Sequence, residues 1–500
     1  MDYKIAIPSH NRSNIIKSKT LAFLSKHNIP KDNIYIFVAE DEIATYKKNL
    51  PTYNIIKGSK GLKNNRSSIS LYFDENTRVC SIDDDVKDII NFKKDYIKNL
   101  DYLIKDIFNY LEATGLKLGG IHPCDNPFFY AENISNDLKF ICGAFRCFIN
   151  TRLCERRTFT LLEDYETTIR YYLYCGGVAR FNHLGVIANY KTLSGGLKEY
   201  RTDDLKKKEV EEFSKKYSNF CKTKKEGMEI QLIKNPQHDA IFGLWIQHEE
   251  DDFLPPIQKL CLSSMVRQGY IVELYTNLQS LGEELDPFIK SKQIKILNPF
   301  SILKYNEESK ILPYSDLFRY KVLYEKGGTW IDLDMILLDR LPSDEIIISS
   351  EHTFQSGAFK SKQTFTPNIG VLRFTKHNEL LKKVIDEIEK KQDADFTDNM
   401  KVFKKHLKKY NYSISDPNTF CPVPWWCVDE LYKDTEKFTT KYSVEVKDKS
   451  WILNNSTAVH LWNNFSTKLI KNTFKKSITK SPCIFQYFSL FNEMQKLILN

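Results

Sequence analysis

Two carboxylates separated by one residue, Asp332 and Asp334, are the residues of this chain best suited to chemistry. They interrupt the otherwise apolar stretch 329–338, whose composition predicts a buried strand that opens into a crevice at its C-terminal end. Alternate residues of a strand point the same way, so both side chains could bind one Mg²⁺ or Mn²⁺, the usual partner of a diphosphate. A solvated pair of acids at a strand end is the competing interpretation of this tripeptide.

A predicted helix and a glycine turn precede the acidic pair. Ser315 is a good N-cap, and apolar or aromatic residues recur after it until Gly327-Gly328 ends the helix. Asp316 and Arg319 are three positions apart, so we expect them to share one face near the helix start.

The segment resembles the family of retaining sugar transferases that includes yeast mannosyltransferases, capsular sugar transferases, α-1,4-galactosyltransferases and the large clostridial glucosylating toxins. Their shared pattern is S-D-[apolar]-x-R-Y followed by L-x-x-x-G-G-x-[aromatic]-x-D-x-D, and residues 315–334 fill every position. IFGLWIQ at 241–247, PNIG at 367–370 and AVHLW at 458–462 extend the match. The resemblance covers roughly residues 240 to 466.

This resemblance implies a role for each matching residue. Trp245 would stack on the nucleotide base, and Asp316 and Arg319 would contact the sugar and the phosphates. Asp332 would bind ribose and metal, and Asp334 would bind the metal directly.

Two further residues follow from the same resemblance. His460 would be a third metal ligand, and Asn368 would be a catalytic residue on its loop. A packed core histidine and an ordinary turn asparagine beside Pro367 are the competing interpretations.

The first half of the chain repeats this organisation. A strand pattern at 3–7, a polar turn at 8–12 and a helical stretch at 15–24 open it, and a short strand at 78–82 leads into a second acidic cluster, Asp83-Asp84-Asp85. In each half, the acidic cluster follows the opening strand at a comparable distance along the chain.

Three motifs of this half resemble inverting GT-A glycosyltransferases, especially the branch found in phage and other viral genomes, some members of which add sugars to modified DNA bases. The motifs are IPSHNR at 7–12, GLKNNR at 61–66 and SIDDDV at 81–86. LEDYETT at 162–168 and the pair Gly195-Gly196 extend the resemblance, which spans roughly residues 3 to 198.

The second resemblance again implies roles. Pro8 and Arg12 would line the nucleotide pocket, Arg66 would lie near the diphosphate, and Asp83 and Asp85 would hold ribose and metal. A solvated strand end and an ordinary surface arginine are the competing interpretations.

The Glu163-Asp164 pair would supply catalysis in this half, with Asp164 as general base on the acceptor hydroxyl. A favourable pair of charges in the first turn of a helix is the alternative.

Length and composition bound these interpretations. The 500 residues, 42% hydrophobic and 13% aromatic, fit two to three globular domains. The net charge of +9 is mild and does not by itself indicate nucleic-acid binding. A charged stretch at 198–225 and a helix-breaking Asn235-Pro236 place a boundary near 235.

We therefore predict two tandem α/β domains, 1–235 and 236–500, each built around a mostly parallel sheet. The two resemblances imply that both are Rossmann-like GT-A domains. The tail at 468–500 predicts an amphipathic helix packed on the second domain.

The sequence also bears on location. No apolar run reaches transmembrane length, and the N-terminus lacks a charged region followed by an apolar one. Eleven cysteines without a C-x-x-C pair or zinc spacing favour reduced thiols. We predict a cytoplasmic protein of a bacterium or of a virus-infected host cell; the oligomeric state does not follow from the sequence.

Together these observations predict a bifunctional, metal-dependent glycosyltransferase. It would use nucleotide-sugar donors, with UDP-sugar favoured, and Mn²⁺ or Mg²⁺, on a glycan or glycoprotein acceptor. One alternative is a metal-dependent hydrolase or nuclease, although no Asp/Glu-x-Lys signature accompanies 332–334. Others are a transferase acting on modified DNA bases, and one active domain joined to a silent glycan-binding domain. Which sugar is transferred does not follow from these motifs.

Overall fold

The structure is a computed structural model of the chain. It describes residues 2–188, 202–247, 254–305, 310–353, 365–390, 396–432, 437–438 and 444–462. Gly195-Gly196 and the tail at 468–500 lie outside the described residues.

The chain divides into two compact units, Met1–Gln237 and His238–Asn500. The division falls beside Asn235-Pro236; that each unit is a functional domain remains a prediction.

The first unit contains β1 (Lys4–Pro8), α1 (Ser13–Ser18), α2 (Thr20–Lys26), β2 (Ile34–Val38), α3 (Ile43–Asn49), β3 (Asn54–Lys57), α4 (Leu62–Tyr72), β4 (Arg78–Ile82), β5 (Val86–Asn91), α5 (Leu100–Thr114), β6 (Leu118–His122), β7 (Ile134–Ser135), β8 (Phe145–Ile149), α6 (Arg152–Glu155), α7 (Glu163–Cys175), β9 (Ala179–Ala188), α8 (Asp203–Lys216), β10 (Cys221–Lys224) and β11 (Glu229–Leu232).

The large sheet of this unit has the order β3-β2-β1-β4-β8-β6-β9-β5, with β7 paired to β9. Strands β3, β2, β1 and β4 are parallel, whereas β8 is antiparallel to both of its neighbours, β4 and β6. Apolar strand residues and helix faces such as that of α5 form the buried core. The C-terminal ends of β1 and β4, where the polar motifs lie, therefore meet at one sheet edge.

The second unit contains β12 (Ala240–Trp245), α9 (Pro256–Arg267), β13 (Ile271–Thr276), α10 (Asp286–Lys290), β14 (Ile294–Leu297), α11 (Ile311–Lys326), β15 (Gly328–Ile331), β16 (Met335–Leu337), β17 (Ile347–His352), β18 (Phe365–Phe374), α12 (Glu379–Glu389), α13 (Phe396–Leu407), α14 (Pro417–Phe420), α15 (Lys449–Asn455) and β19 (Ala458–His460).

Its main sheet has the order β14-β13-β12-β15-β18-β17. The first four strands are parallel, and β18 is antiparallel to β15 and β17. Separate buried clusters cover this sheet. The predicted α/β class is confirmed, with a parallel core in each large sheet and antiparallel strands completing it. Among the described helices, none combines the length and apolar composition needed to cross a membrane.

Three local predictions were wrong. Helix α11 begins at Ile311 rather than at Ser315. Pro313 is tolerated in its first turn, because its missing N–H costs no hydrogen bond there. Ser315 therefore follows the helix start and is an interior helical residue, not the N-cap.

The predicted helix at 15–24 is two helices, because the backbone of Lys19 is not helical (φ −115°, ψ −96°). The break brings the hydroxyl of Thr20 to the turn after β4, where it donates to Asp83 O at 2.7 Å and accepts from Val86 N at 3.1 Å.

The predicted strand at 329–338 is also divided. β15 ends at Ile331, and β16 leaves the main sheet to pair with β19. Asp332 and Asp334 therefore lie in a turn and not in a strand.

Candidate functional site

The turn that holds Asp332 and Asp334 is fixed by two strands distant along the chain. Asp332 N donates to Gly370 O on β18 at 2.8 Å, and Leu461 N, just after β19, donates to Asp334 O at 2.8 Å. Met335 N closes the turn by donating to Asp332 O at 3.1 Å. The two side chains converge because of this turn, and not because of the two-residue period of a strand.

Strand β19 brings His460 to the same turn. Its Nε2 atom lies 3.1 Å from Asp334 Oδ1, and one ligand atom from each of Asp332, Asp334 and His460 lies within 4.8 Å of the others. In the part of the chain that the structure describes, no other group of three or more potential metal ligands comes this close together. Two carboxylate oxygens and one imidazole nitrogen form a donor set that suits a divalent cation such as Mn²⁺.

Helix α11 contributes a buried cation. Arg319 Nη1 lies 3.1 Å from Asp332 Oδ1, and Nη2 lies 3.3 Å from Asp316 Oδ1. The Arg319 guanidinium also donates to Ile369 O at 2.8 Å and lies 5.1 Å from the ring centroid of Trp330. Asp316 and Arg319 thus share the predicted helix face, and this face meets the acidic turn.

Burial shifts the ionisation of these groups. It raises the pKa of Asp316 to about 7 even though Arg319 opposes the rise. Burial raises the pKa of Asp332 in the same way, against the same guanidinium. Burial by itself lowers the pKa of His460, but the Asp334 carboxylate outweighs it and holds that pKa well above its ordinary value. A proton and a metal ion therefore compete for Nε2 of His460.

Asn368 and Gly370 on β18 complete the wall of the site. Asn368 Oδ1 accepts from Gly370 N at 2.7 Å, and its Nδ2 donates to Glu351 Oε2 at 3.0 Å. A Cβ on Gly370 would lie 2.9 Å from Asn368 Oδ1, 3.4 Å from Asp332 Oδ2 and 3.7 Å from His460 Cε1. The structure therefore places Asn368 beside the ligand group. Sequence reasoning missed Glu351, which reaches the site only through the β17–β18 pairing.

His460 is oriented by two neighbours. Its Nδ1 atom faces Cys421 Sγ at 3.8 Å, and its ring stacks on Trp462 with centroids 3.9 Å apart. Trp462 Nε1 donates in turn to Val423 O at 2.8 Å. These contacts leave Nε2 directed at Asp334. Sequence reasoning did not identify Cys421 as a site residue, because no motif or spacing links it to His460, which is 39 residues away along the chain.

Trp245 is the last residue of β12, which runs parallel to β15 with Phe242 opposite Trp330. It is half-buried, and its Nε1 donates to Gln247 Oε1 at 2.9 Å. Parallel neighbours end at the same sheet edge, so Trp245 lies at the edge that carries the acidic turn.

The first unit brings together four of its predicted residues. Arg66 is 1% exposed, and its Nη2 donates to Asp83 Oδ1 at 2.7 Å. Its Nη1 contacts Glu163 and Asp164 at the start of α7. Gly143 packs against this guanidinium, and its N–H donates to Asp164 Oδ2 at 2.9 Å. Arg66 is a buried cation that binds three carboxyl groups and is not an ordinary surface arginine.

A second set surrounds Arg12. Its Nη1 lies 2.9 Å from Asp84 Oδ1 and 3.7 Å from Asp85 Oδ2. Ser9 Oγ donates to Asp84 Oδ2 at 2.6 Å. Pro8 is the buried last residue of β1, opposite Phe37. The structure brings Asp85 to Arg12 but places it in no group of three potential metal ligands among the described residues.

The Arg66 cluster extends through further buried charges. Arg157 donates to Glu163 Oε2 at 3.0 Å and to Glu155 Oε2 at 2.7 Å, and Arg146 binds Glu155 with two hydrogen bonds. Three guanidinium groups therefore meet four carboxyl groups, which are Glu155 and Glu163 together with the Arg66 partners Asp83 and Asp164. Full ionisation would leave one buried negative charge in excess.

The pKa shifts agree with that excess. Burial raises the pKa of Asp83 to about 6 and that of Glu163 to about 8. Burial acts on Asp164 in the same direction, but Arg66 and the N–H of Gly143 outweigh it and lower its pKa. Within the Glu163-Asp164 pair, Asp164 is therefore the ionised carboxylate at neutral pH, and Glu163 holds the proton.

Two family models match parts of the second unit. Residues 268–353, which contain Asp316, Arg319, Asp332 and Asp334, match the glycosyltransferase sugar-binding region containing the DXD motif. Residues 374–489, which contain His460, match the alpha 1,4-glycosyltransferase conserved region. No curated protein matched the chain.

Solved structures of glycosyltransferases also show distant likeness to parts of the chain. The PaToxG glycosyltransferase is 18% identical over 41% of this chain and 79% of its own, with a TM-score of 0.26. The mannosyltransferase PcManGT from Pyrobaculum calidifontis is 14% identical over 36% and 54%, with a TM-score of 0.27. S. aureus TarS 1–349 is 13% identical over 43% and 67%, with a TM-score of 0.31. The second unit is thus similar, over residues 268–353 and 374–489, to conserved regions of glycosyltransferases, the first of which contains the DXD motif.

Proposed function

We propose that the chain is a bifunctional glycosyltransferase that moves sugars from nucleotide-sugar donors, with UDP-sugar favoured, to a glycan or glycoprotein acceptor. The observation that carries the proposal is the convergence of Asp332, Asp334 and His460 beside the buried Arg319. The two family matches support the transferase class.

The geometry of the second unit suits departure of a nucleotide diphosphate. Asp332, Asp334 and His460 would hold Mn²⁺ or Mg²⁺, which when bound supplies positive charge against the leaving group. Arg319 adds a fixed guanidinium, and because it is already held by Asp316 and Asp332 it needs little reorganisation.

Three side chains would position the donor in this unit. Asp316, with a pKa of about 7, is in part protonated at neutral pH and can donate a hydrogen bond to a sugar hydroxyl. Asn368 offers an amide beside the ligand group, and Trp245 offers a ring for the base. The resemblance to retaining transferases supports retention of configuration in this domain.

In the first unit we propose base-assisted transfer with inversion. The acceptor hydroxyl would lose its proton to Asp164 while its oxygen bonds to the anomeric carbon of the donor sugar. The bond from that carbon to the diphosphate oxygen would break, and the nucleotide diphosphate would leave with the electron pair. Arg66 supports this role because its guanidinium keeps Asp164 ionised. Asp83 would contact ribose, and Arg12 with Pro8 would border the nucleotide.

Donor depletion separates the proposed function from its alternatives. Nucleotide sugars would be incubated with the intact chain, with and without Mn²⁺, and donor loss and products followed by mass spectrometry. The variants Asp334→Asn and Asp164→Asn report on one unit each. We expect each variant to lose a different activity; wild-type donor consumption in both variants would contradict the assigned sites.

The acceptor classes are tested in the same assay. Glycans and glycoproteins are the proposed acceptors, and DNA with modified bases is the second candidate, favoured only by the viral relatives that the first half resembles. Product formed on DNA alone would replace the proposed acceptor class. If either Asp334→Asn or Asp164→Asn alone abolished all transfer, the unit that carries the other residue would be a silent domain.

A further inference from the structure

An exposed aromatic pair, Phe128 and Phe129, lies on the loop after β6, outside the site described above. Phe128 is 85% exposed and Phe129 is 58% exposed. Their rings pack edge to face at 5.3 Å, and Phe129 is stacked at 6.2 Å on His122, the last residue of β6, with planes 7° apart. Exposed apolar side chains that form a contiguous patch, unlike those scattered singly, can mark a ligand-binding surface.

The loop is fixed to the sheet, so the exposure is a property of the folded protein. Tyr130 Oη donates to Cys124 O at 2.8 Å. Tyr130 packs so closely on β9 that a Cβ on Gly185 would lie 1.6 Å from its hydroxyl. Asn126 Oδ1 accepts from Phe128 N at 3.1 Å and so fixes the turn that carries both rings. A ligand would therefore meet rings that are already in position.

The loop lies at the same sheet edge as the proposed base. Strands β4 and β6 are both antiparallel to β8, which lies between them, so both end at one edge. Two strand spacings, roughly 10 Å, separate their ends. Asp83 N donates to Ala144 O beside the start of β8, and Gly143 N donates to Asp164. A molecule bound at the aromatic pair would therefore lie at the sheet edge that carries Asp164.

The charge of the loop disfavours an anionic ligand. Residues 121–138 include Asp125, Glu132 and Asp137 but no lysine or arginine. Burial, reinforced by Arg180, lowers the pKa of His122 to about 4, so its imidazole is neutral at physiological pH. A nucleic acid would need cations against its phosphates, whereas the charged side chains of this segment are carboxylates.

We propose that Phe128 and Phe129 form a platform for a neutral saccharide, the acceptor of the first domain. The apolar C–H face of a pyranose ring can pack on an aromatic ring, which would direct a sugar hydroxyl toward Asp164. The identification of the saccharide as an acceptor rests on the proposed function; the binding itself does not.

The test measures binding to the intact chain by saturation-transfer NMR. The probes are neutral tetrasaccharides of glucose, galactose, mannose and N-acetylglucosamine, and a short single-stranded oligonucleotide as competitor class. The double variant Phe128→Ala/Phe129→Ala is compared with Tyr72→Ala. Tyr72 is a suitable control because it is exposed and ends α4, just before the start of β4, whereas the aromatic pair follows the end of β6.

We expect saturation of sugar C–H protons in at least one tetrasaccharide, with Kd raised by about tenfold or more in the double variant and unchanged in the control. Equal binding by the double variant, saturation of none of the tetrasaccharides, or binding of the oligonucleotide alone would overturn the proposal. Donor consumption is recorded on the same samples. Saccharide binding without donor consumption would contradict the proposed transferase function but support the aromatic platform. Sugar transfer with an unchanged KM for the saccharide in the double variant would support the transferase function but contradict the platform.

Discussion

Asp334 has one carboxylate oxygen 3.1 Å from Nε2 of His460, and its backbone carbonyl accepts from Leu461. The Asp334→Asn change keeps the size of the side chain and leaves the backbone contact, so we expect the fold to persist. The neutral amide is a weaker ligand, and Mn²⁺ affinity should fall at least as much as the roughly tenfold to hundredfold that loss of an outer-shell partner costs.

Isothermal titration with Mn²⁺, followed by donor hydrolysis at increasing Mn²⁺, would measure this loss. Asp344→Asn is the matched control, because Asp344 is an exposed aspartate that does not belong to the group formed by Asp332, Asp334 and His460. Metal binding that is equal in Asp334→Asn and the control would exclude Asp334 as a ligand.

Glu163 gives a residue-scale prediction about pH. Its folded pKa of about 8 lies above the ordinary value of 4.5. Its contribution to stability is therefore fully present below about pH 4.5 and is lost as the pH rises through 8. Glu163→Gln cannot titrate, so this dependence, at most about 1.4 kcal/mol per pH unit for one proton, should disappear.

Urea unfolding of the intact chain at several pH values between 5 and 8 would test this. The first unit is followed as the change in far-UV circular dichroism that tryptophan fluorescence does not share, because every tryptophan lies in the second unit. Glu112→Gln is the control, since Glu112 is a partly exposed glutamate of the same unit. If stability falls with pH as steeply in Glu163→Gln as in the control, the shared proton resides elsewhere in the cluster.

At the scale of elements, the sequence predicted more of the fold than of the site. Strand β4 begins and ends where its apolar pattern predicts, at Arg78 and Ile82, because local alternation and burial decide both ends. The 329–338 stretch failed because its apolar composition is shared by two strands of different sheets. Composition cannot show that division, since it depends on the pairing of β16 with β19.

The site follows the same rule. Asp316 and Arg319 share a helix face because they are three residues apart in one helix, a relation that the local sequence determines. The structure confirms their contact. Glu351 and Cys421 reach the site through β-pairing and packing across long stretches of chain, and no spacing in the sequence reports such contacts.

Strand β18 supplies an element-scale prediction through Gly370. An added Cβ would lie 2.9 Å from Asn368 Oδ1, so Gly370→Ala must displace that oxygen, and it would come into van der Waals contact with Asp332 Oδ2 at 3.4 Å. We expect weaker Mn²⁺ binding and a lower kcat, with the helical content of the unit retained. Titration calorimetry and circular dichroism on the same sample would measure both; unchanged metal affinity would show that the wall formed by β18 does not position Asp332.

At the scale of the whole molecule, the six tryptophans provide a probe for one unit. All of them follow Gln237, at Trp245, Trp330, Trp425, Trp426, Trp451 and Trp462. Tryptophan fluorescence therefore reports unfolding of the second unit, whereas circular dichroism reports both. Because each unit has its own buried core, we expect each to unfold as a separate cooperative step.

Ligand binding should then stabilise one step alone. Mn²⁺ with UDP at about 100 times Kd should stabilise the second unit by about 2.7 kcal/mol, because the ligands bind its folded state. The tryptophan transition would move to higher temperature, and the remaining circular dichroism transition would stay in place. Asp334→Asn should abolish the shift, while Asp344→Asn should keep it. A single transition seen by both probes, displaced as a whole by the ligands, would show that the two units unfold together and would contradict the division at Gln237.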